Sequence, residues 1–206
     1  MLDTIYNPER LQPFLIVISG PAGVGKDAVI QKMEEIGIEF QFVVTVNTRP
    51  PRKNEVPGKD YEFISRQEFE EMIKRDELLE YAKVYNDYKG IPKTKIRQAI
   101  ASKEDVVVRV DVQGAATIHS KYPDALSIFL VAESEEILDQ RIHDRGEDSE
   151  DRQKARHDML PEEMKRLAEF DYVVVNRQNF LSETAEMIRT ILQVERHRAN
   201  PRKISL

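Results

Sequence analysis

Gly20-Pro-Ala-Gly-Val-Gly-Lys26 fits the pattern G-x-x-x-x-G-K, and that spacing predicts a phosphate cradle. Successive backbone N–H groups of such a loop turn toward one point at a helix N-terminus, where the helix dipole adds positive potential. Glycine is required where φ is positive and where a β-carbon would strike the phosphate. Lys26 reaches the β- and γ-phosphates and follows charge as it moves between them. The expected contacts to a bound triphosphate are Gly20, Pro21, Ala22, Gly23, Val24, Gly25 and Lys26, with Asp27 and Ala28 just beyond. The position after the lysine is ordinarily Ser or Thr, whose hydroxyl binds Mg²⁺. Asp27 stands there instead. A carboxylate is a good hard ligand for Mg²⁺, and three roles are open to it: direct ligand, holder of a metal-bound water, or helix cap.

A second anion site is suggested by Thr45-Val-Asn-Thr-Arg-Pro-Pro-Arg52, which sets Arg49 and Arg52 three apart in a proline-stiffened loop. Guanidinium forks match the geometry of a dianionic phosphate. Gly58-Lys-Asp-Tyr61 follows, and the Tyr61 hydroxyl adds a donor.

These residues need a scaffold that brings the two anion sites together. Phe14–Ile18 is a continuous β-branched and aromatic run, read as a strand buried on both faces. From Lys26 onward Val29, Ile30, Met33 and Ile36 have helical spacing, and Gly37 is the expected stop. Further strands are expected at Val106–Val108 running on to Val112, at Ser127–Val131 and at Tyr172–Val175. Helices are expected at Ala115–Lys121, Glu135–Arg145, Asp151–Ala168 and Glu183–Val194. That alternation predicts an α/β fold with a sheet parallel at its centre. The segment 42–95, rich in proline, charge and tyrosine, breaks the rhythm and reads as an inserted lobe. Its Ser65-Arg-Gln-Glu68 is a capping box opening a helix through Arg75. The charged stretch 134–169 reads as a helical hairpin over the same side. The basic end Arg196–Lys203 reads as a solvated, frayed tail.

Bulk composition narrows the partners. The chain has 206 residues, a formal net charge of −6 and no cysteine. Disulfides, thiolate metal sites and cysteine nucleophiles are excluded. A net-acidic chain is a poor general nucleic-acid binder, so a bound anion must be gripped locally. The longest apolar stretches, Phe14–Ile18 and Ile128–Ala132, are far too short to span a bilayer. Met1–Arg10 shows no basic-then-apolar signal pattern, and the expected location is the cytoplasm.

The run Thr45–Phe63 resembles the guanylate kinase signature, roughly S-x-x-T-R-x-P-R-x-G-E-x-x-G-x-D-Y-x-F. Leu79-Glu-Tyr-Ala82 is similar to that family's L-E-x-A, and Val110-Asp-Val-Gln-Gly-Ala115 to its I-D-x-Q-G-A. Arg141 to Gly146, Asp148-Ser-Glu150 and Arg156 resemble its lid, and Phe170–Asn176 resembles its Y-D-Y-x-I-V-N. The resemblance spans about Phe14 to Ile191. It implies one domain with a P-loop core (about 12–41, 96–133 and 170–206), a GMP-binding lobe (about 42–95) and a mobile lid (about 134–169). It also implies transfer of the ATP γ-phosphate to GMP or dGMP with Mg²⁺, by a monomer or homodimer. By position, Arg49, Arg52 and Tyr61 would bind the acceptor phosphate, with Thr45, Lys89 and Gly90 nearby. Glu80 and Asp111 would take the guanine N1–H and amino group. Arg145 and Arg156 would join Lys26 and Arg49 in stabilising the transferring group. Arg141 and Asn176 would lie at the ATP.

Four residues depart from the family pattern at the site: Asp27, Lys89 in place of a phosphate-binding tyrosine, Ile91 in place of a guanine-binding Ser or Thr, and Arg109 in place of an acid. Arg109 is expected to attract phosphate. Asn54 replaces a glycine and Arg177 an acid. The base-reading side is expected to be altered more than the phosphate-reading side. Two other functions compete: a kinase of the same fold acting on another nucleotide or sugar phosphate, and a non-catalytic phosphopeptide-binding module.

Overall fold

A computed structural model describes residues 13–52, 55–84, 87–144 and 150–202; the side chains at 84, 144 and 150–157 fall outside that set. Two sheets organise the chain. The first holds β2 (Gln41–Phe42), β7 (Val106–Arg109), β1 (Leu15–Ser19), β8 (Leu126–Val131) and β9 (Tyr172–Val175), in that spatial order and all parallel.

All five residues of β1 are buried, as a central parallel strand covered on both faces requires. Alternation then splits the core. Ile16 and Ile18 join Val29, Met33 and Ile188 on the side of α1 (Lys26–Glu35) and α7 (Leu181–Arg196). Leu15 and Val17 face Ile96, Ile100 and Ile118, carried by α3 (Lys93–Ala101) and α4 (Val112–Lys121). Helix α1 ends as expected, with Gly37 at φ 80° and its N–H donating to the Glu34 carbonyl. Strand β7 stops at Arg109 rather than running to Val112. Asp111 turns the chain into α4 as its N-cap, accepting from the N–H groups of Gln113 and Gly114.

The second sheet has the order β4-β3-β6-β5, from β3 (Thr45–Asn47), β4 (Tyr61–Phe63), β5 (Leu78–Val84) and β6 (Asp87–Pro92). None of these short strands announced itself by periodicity. Helix α2 (Arg66–Lys74) closes the outer side with Phe69, and its capping box forms in both directions between Ser65 and Glu68. The charged stretch folds as α5 (Glu135–Asp144), α6 (Glu150–Lys165) and a 3-10 turn at Arg166–Glu169.

The basic end is not frayed as far as Arg202. Glu195 is only 2% exposed, and a carboxylate so buried requires donors. Tyr172 supplies its hydroxyl at 2.7 Å and Arg202 its Nε at 2.7 Å. Arg202 also reaches Asp171 and the Ala125 carbonyl.

Candidate active site

A cleft of about 240 Å³ lies between the carboxyl ends of the parallel strands and the second sheet, lined by Gly20, Gly25, Lys26, Asp27, Arg49, Arg52, Tyr61, Lys89, Arg109 and Asp111 among others. Clefts at this end of a parallel sheet are where α/β folds hold ligands. The loop after β1 reaches it through backbone shapes that exclude side chains. A β-carbon at Gly20 (φ 138°) would lie 2.3 Å from the Leu130 carbonyl oxygen, and one at Gly25 (φ 95°) would lie 2.6 Å from Asn176 Nδ2.

Lys26 folds back over this loop, donating to the carbonyls of Gly20 at 2.5 Å and Pro21 at 3.0 Å. Burial, with Lys89 close by, pushes its ammonium down to about 8. Asn176 braces the loop from behind. Its Nδ2 donates to the Val24 carbonyl at 2.8 Å, and its Oδ1 accepts from Thr184. Arg141 holds the same segment, donating to the carbonyls of Val24 and Asn176.

Asp27 does not cap α1; Gly25 occupies the N-cap. The Asp27 carboxylate is paired with Arg109, and its side chain is 47% exposed. Burial pushes this carboxyl up, but Arg109, Lys89 and Lys26 outweigh it and hold the group below the usual aspartate range. Arg109 is not a phosphate lure. Its side chain is 3% exposed, one nitrogen rests on Asp27, and the other donates to the Asp60 carbonyl at 2.7 Å. The two departures from the family pattern therefore neutralise each other.

On the acceptor side, register does the positioning. Thr45 pairs with Tyr61 and Asn47 with Lys89, so all four share one face of the second sheet. The Tyr61 ring has three cations around it: Arg109 at 4.1 Å from its centroid, Arg49 at 5.1 Å and Lys89 at 5.6 Å. Glu55, unassigned by motif reading, organises the arginines. It accepts from both terminal nitrogens of Arg49, at 2.7 and 2.5 Å, and from the Arg52 N–H at 2.8 Å. Burial raises its carboxyl, but those bonds hold it low. The signal for Glu55 was the glutamate of the signature itself, three residues after Arg52.

Thr45 and Gly90 stand back from the cleft. Thr45 is fully buried, and its hydroxyl has no partner among the described residues. Gly90 packs inward, where a β-carbon would lie 3.1 Å from Phe69 Cζ. Ile91 is likewise wholly buried, in the core beside Leu79 and Ile96.

Glu80, expected at the base and 6% exposed, lies over Gly114, where a β-carbon would come within 2.9 Å of its Oε2. Burial first, then the nearby Asp111, pushes Glu80 up to about 7. Of the expected lid residues, Arg145 lies outside the described residues, and Arg156 lies in α6 with its side chain outside them. Among the described residues no group of three His, Cys, Asp or Glu forms a metal cage, and no helix is long and apolar enough to cross a membrane.

The guanylate kinase family model matches residues 12–195. Guanylate kinase 2, chloroplastic/mitochondrial, of Oryza sativa subsp. japonica is 46% identical over all of this chain and 74% of its own length. The guanylate kinase of Lactococcus lactis subsp. lactis is 39% identical, with 93% of this chain and 92% of its own covered. The crystal structure of guanylate kinase from Anaplasma phagocytophilum superposes with a TM-score of 0.72 at 27% identity, over 91% of this chain and 88% of that one. Cleft, signature and relatives agree, and this chain belongs to the guanylate kinase family.

Proposed function

We propose that this chain transfers the γ-phosphate of ATP to GMP, giving ADP and GDP. The observation that carries the reading is the shared cleft. The Lys26 loop opens into one side of it, and the Arg49–Arg52 turn, held by Glu55, lines the other. Asp111 lines it and Glu80 lies near Asp111; these two are the proposed readers of guanine. Two adjacent carboxyl groups match the guanine edge, whose N1–H and amino group are neighbouring donors.

No general base is needed, because the acceptor phosphate is already an anionic nucleophile. The chain's contribution is alignment and charge. Lys26 follows the transferring group, while Arg49, Arg52, Tyr61 and Lys89 fix the acceptor phosphate. Arg145 and Arg156 are the proposed lid cations. Closure of lobe and lid would exclude water, which would otherwise hydrolyse ATP.

Mg²⁺ fits the site in a reduced form. It usually takes one or two carboxylates, phosphate oxygens and waters rather than a protein cage, and the half-exposed Asp27 offers one such carboxylate beside the loop. When bound, Mg²⁺ supplies neutralisation of charge on the ATP phosphates. We keep the cytoplasm as the proposed compartment, although the rice relative is named chloroplastic/mitochondrial.

The test is ADP release from MgATP with GMP, dGMP, AMP, CMP, UMP or no acceptor. Fast release with GMP or dGMP is expected. Comparable release with a non-guanine acceptor would overturn the specificity. Phosphopeptide binding without any ATP turnover would overturn the activity.

A further inference from the structure

Arg109 touches three parts of the molecule at once. It stands at the end of core strand β7, fully buried. One terminal nitrogen is paired with Asp27 on the first turn of α1, directly after the phosphate loop. The other donates to the Asp60 carbonyl, and the guanidinium lies 4.1 Å from the centroid of the Tyr61 ring, both in the acceptor lobe. The Phe42 ring flanks it at 5.3 Å. Among the described residues its Nε has no hydrogen-bond partner, and both hydrogen bonds of this buried cation go to the loop and the lobe. A guanidinium can make such a bridge because its donors sit in a rigid planar fork. A serine at 27 with an acid at 109 could not.

We propose that Arg109 is a positioning residue that clasps the donor loop to the acceptor lobe, so that filling the ATP site is felt at the GMP site. A donor nucleotide fixes the first turn of α1 and with it Asp27. Asp27 then fixes the guanidinium, and the guanidinium fixes Asp60 and Tyr61. Each ligand orders the same clasp, so the second to bind has less left to order. The inference rests on the proposed assignment of the two sites.

Two binding measurements test it, neither of which requires turnover. Amide hydrogen exchange is followed over 56–63 with and without saturating Mg²⁺ and a non-hydrolysable ATP analogue. The Kd for GMP is measured with and without the same analogue. In the wild type the analogue is expected to slow exchange in the lobe and tighten GMP about tenfold, within the usual range of site–site coupling. Arg109→Met should lose both effects while still binding the analogue. Asp27→Ser, which leaves the lobe contacts of Arg109 in place, should lose them too, with the analogue held at saturation because Asp27 is also the proposed Mg²⁺ carboxylate. Wild-type values without any coupling, or either variant retaining it, would overturn the clasp. Exchange protection in a wild type that phosphorylates no GMP would instead retire the proposed acceptor and uphold the clasp.

Discussion

The two ends of the cleft carry their departures from the family pattern differently. At the phosphate end three substituted residues meet. Asp27 pairs with Arg109, and Arg109 and Lys89 flank the same Tyr61 ring. At the other end Glu80 lies near Asp111, and Ile91, its partner across β5 and β6, is wholly buried. A substitution is thus read by what it touches. Asp27 alone looked like an altered metal ligand and Arg109 alone like a stray phosphate magnet; 82 residues apart in sequence, they make one ion pair.

The comparison can be broken most forcefully at the phosphate end. Lys26→Met should lower kcat by about 10²–10³, the usual effect of losing one preorganised charge-stabilising donor, with KM for GMP moving far less in steady-state kinetics. Glu55→Gln should raise KM for GMP about ten- to hundredfold by loosening the fork that orients Arg49. Tighter GMP binding in that variant would mean that Glu55 competes with the acceptor phosphate.

The base end should reveal itself through pH. Glu80 titrates near 7 in the folded chain and must be ionised to accept from guanine. GMP affinity should therefore fall as pH drops from 8 to 6, by up to about tenfold, since one unit below its pKa roughly a tenth of the group is charged. Glu80→Gln should flatten that profile in calorimetric titrations. The raised pKa also has a stability sign. Its contribution is present below the unfolded value near 4.5 and is lost as pH rises through about 7, so Glu80→Gln should raise Tm at pH 8. The smallest effect on activity belongs to Ile91→Thr. Restoring the family's hydroxyl should leave KM for GMP where it is, because the side chain is wholly buried and does not line the cleft. It should cost about 1–3 kcal/mol of stability in chemical denaturation by burying a polar group.

The parallel core was legible because its strands are continuous apolar runs and its phosphate loop has a fixed spacing. Tyr172–Val175 was read to the residue, and the helix expected over Glu135–Arg145 is present from Glu135 to Asp144, the last described residue before 145. The acceptor lobe was not legible as a sheet. Strands such as Thr45–Asn47 and Tyr61–Phe63 are three residues long, too short for alternation to register. The burial of Gly90 and Ile91 was hidden for another reason. A motif fixes which residue occupies a position but not which face of its element it takes. The docked tail depends on Glu195 being buried, which only the packing of α7 decides.

The lobe's place in the chain has a consequence for folding. Strands β1 and β7 are neighbours, and Phe14 hydrogen-bonds Asp105 across 91 residues of chain. Lengthening a flexible loop is thermodynamically mild, at about 0.6 kcal/mol per doubling, so the central sheet tolerates a whole lobe spliced between adjacent strands. Kinetically the splice matters more. The β5–β6 hairpin closes locally, whereas β1 must wait for a distant partner. The acceptor lobe is therefore expected to gain structure first in refolding, making it the natural unit to exchange, lengthen or transplant when a new acceptor is wanted.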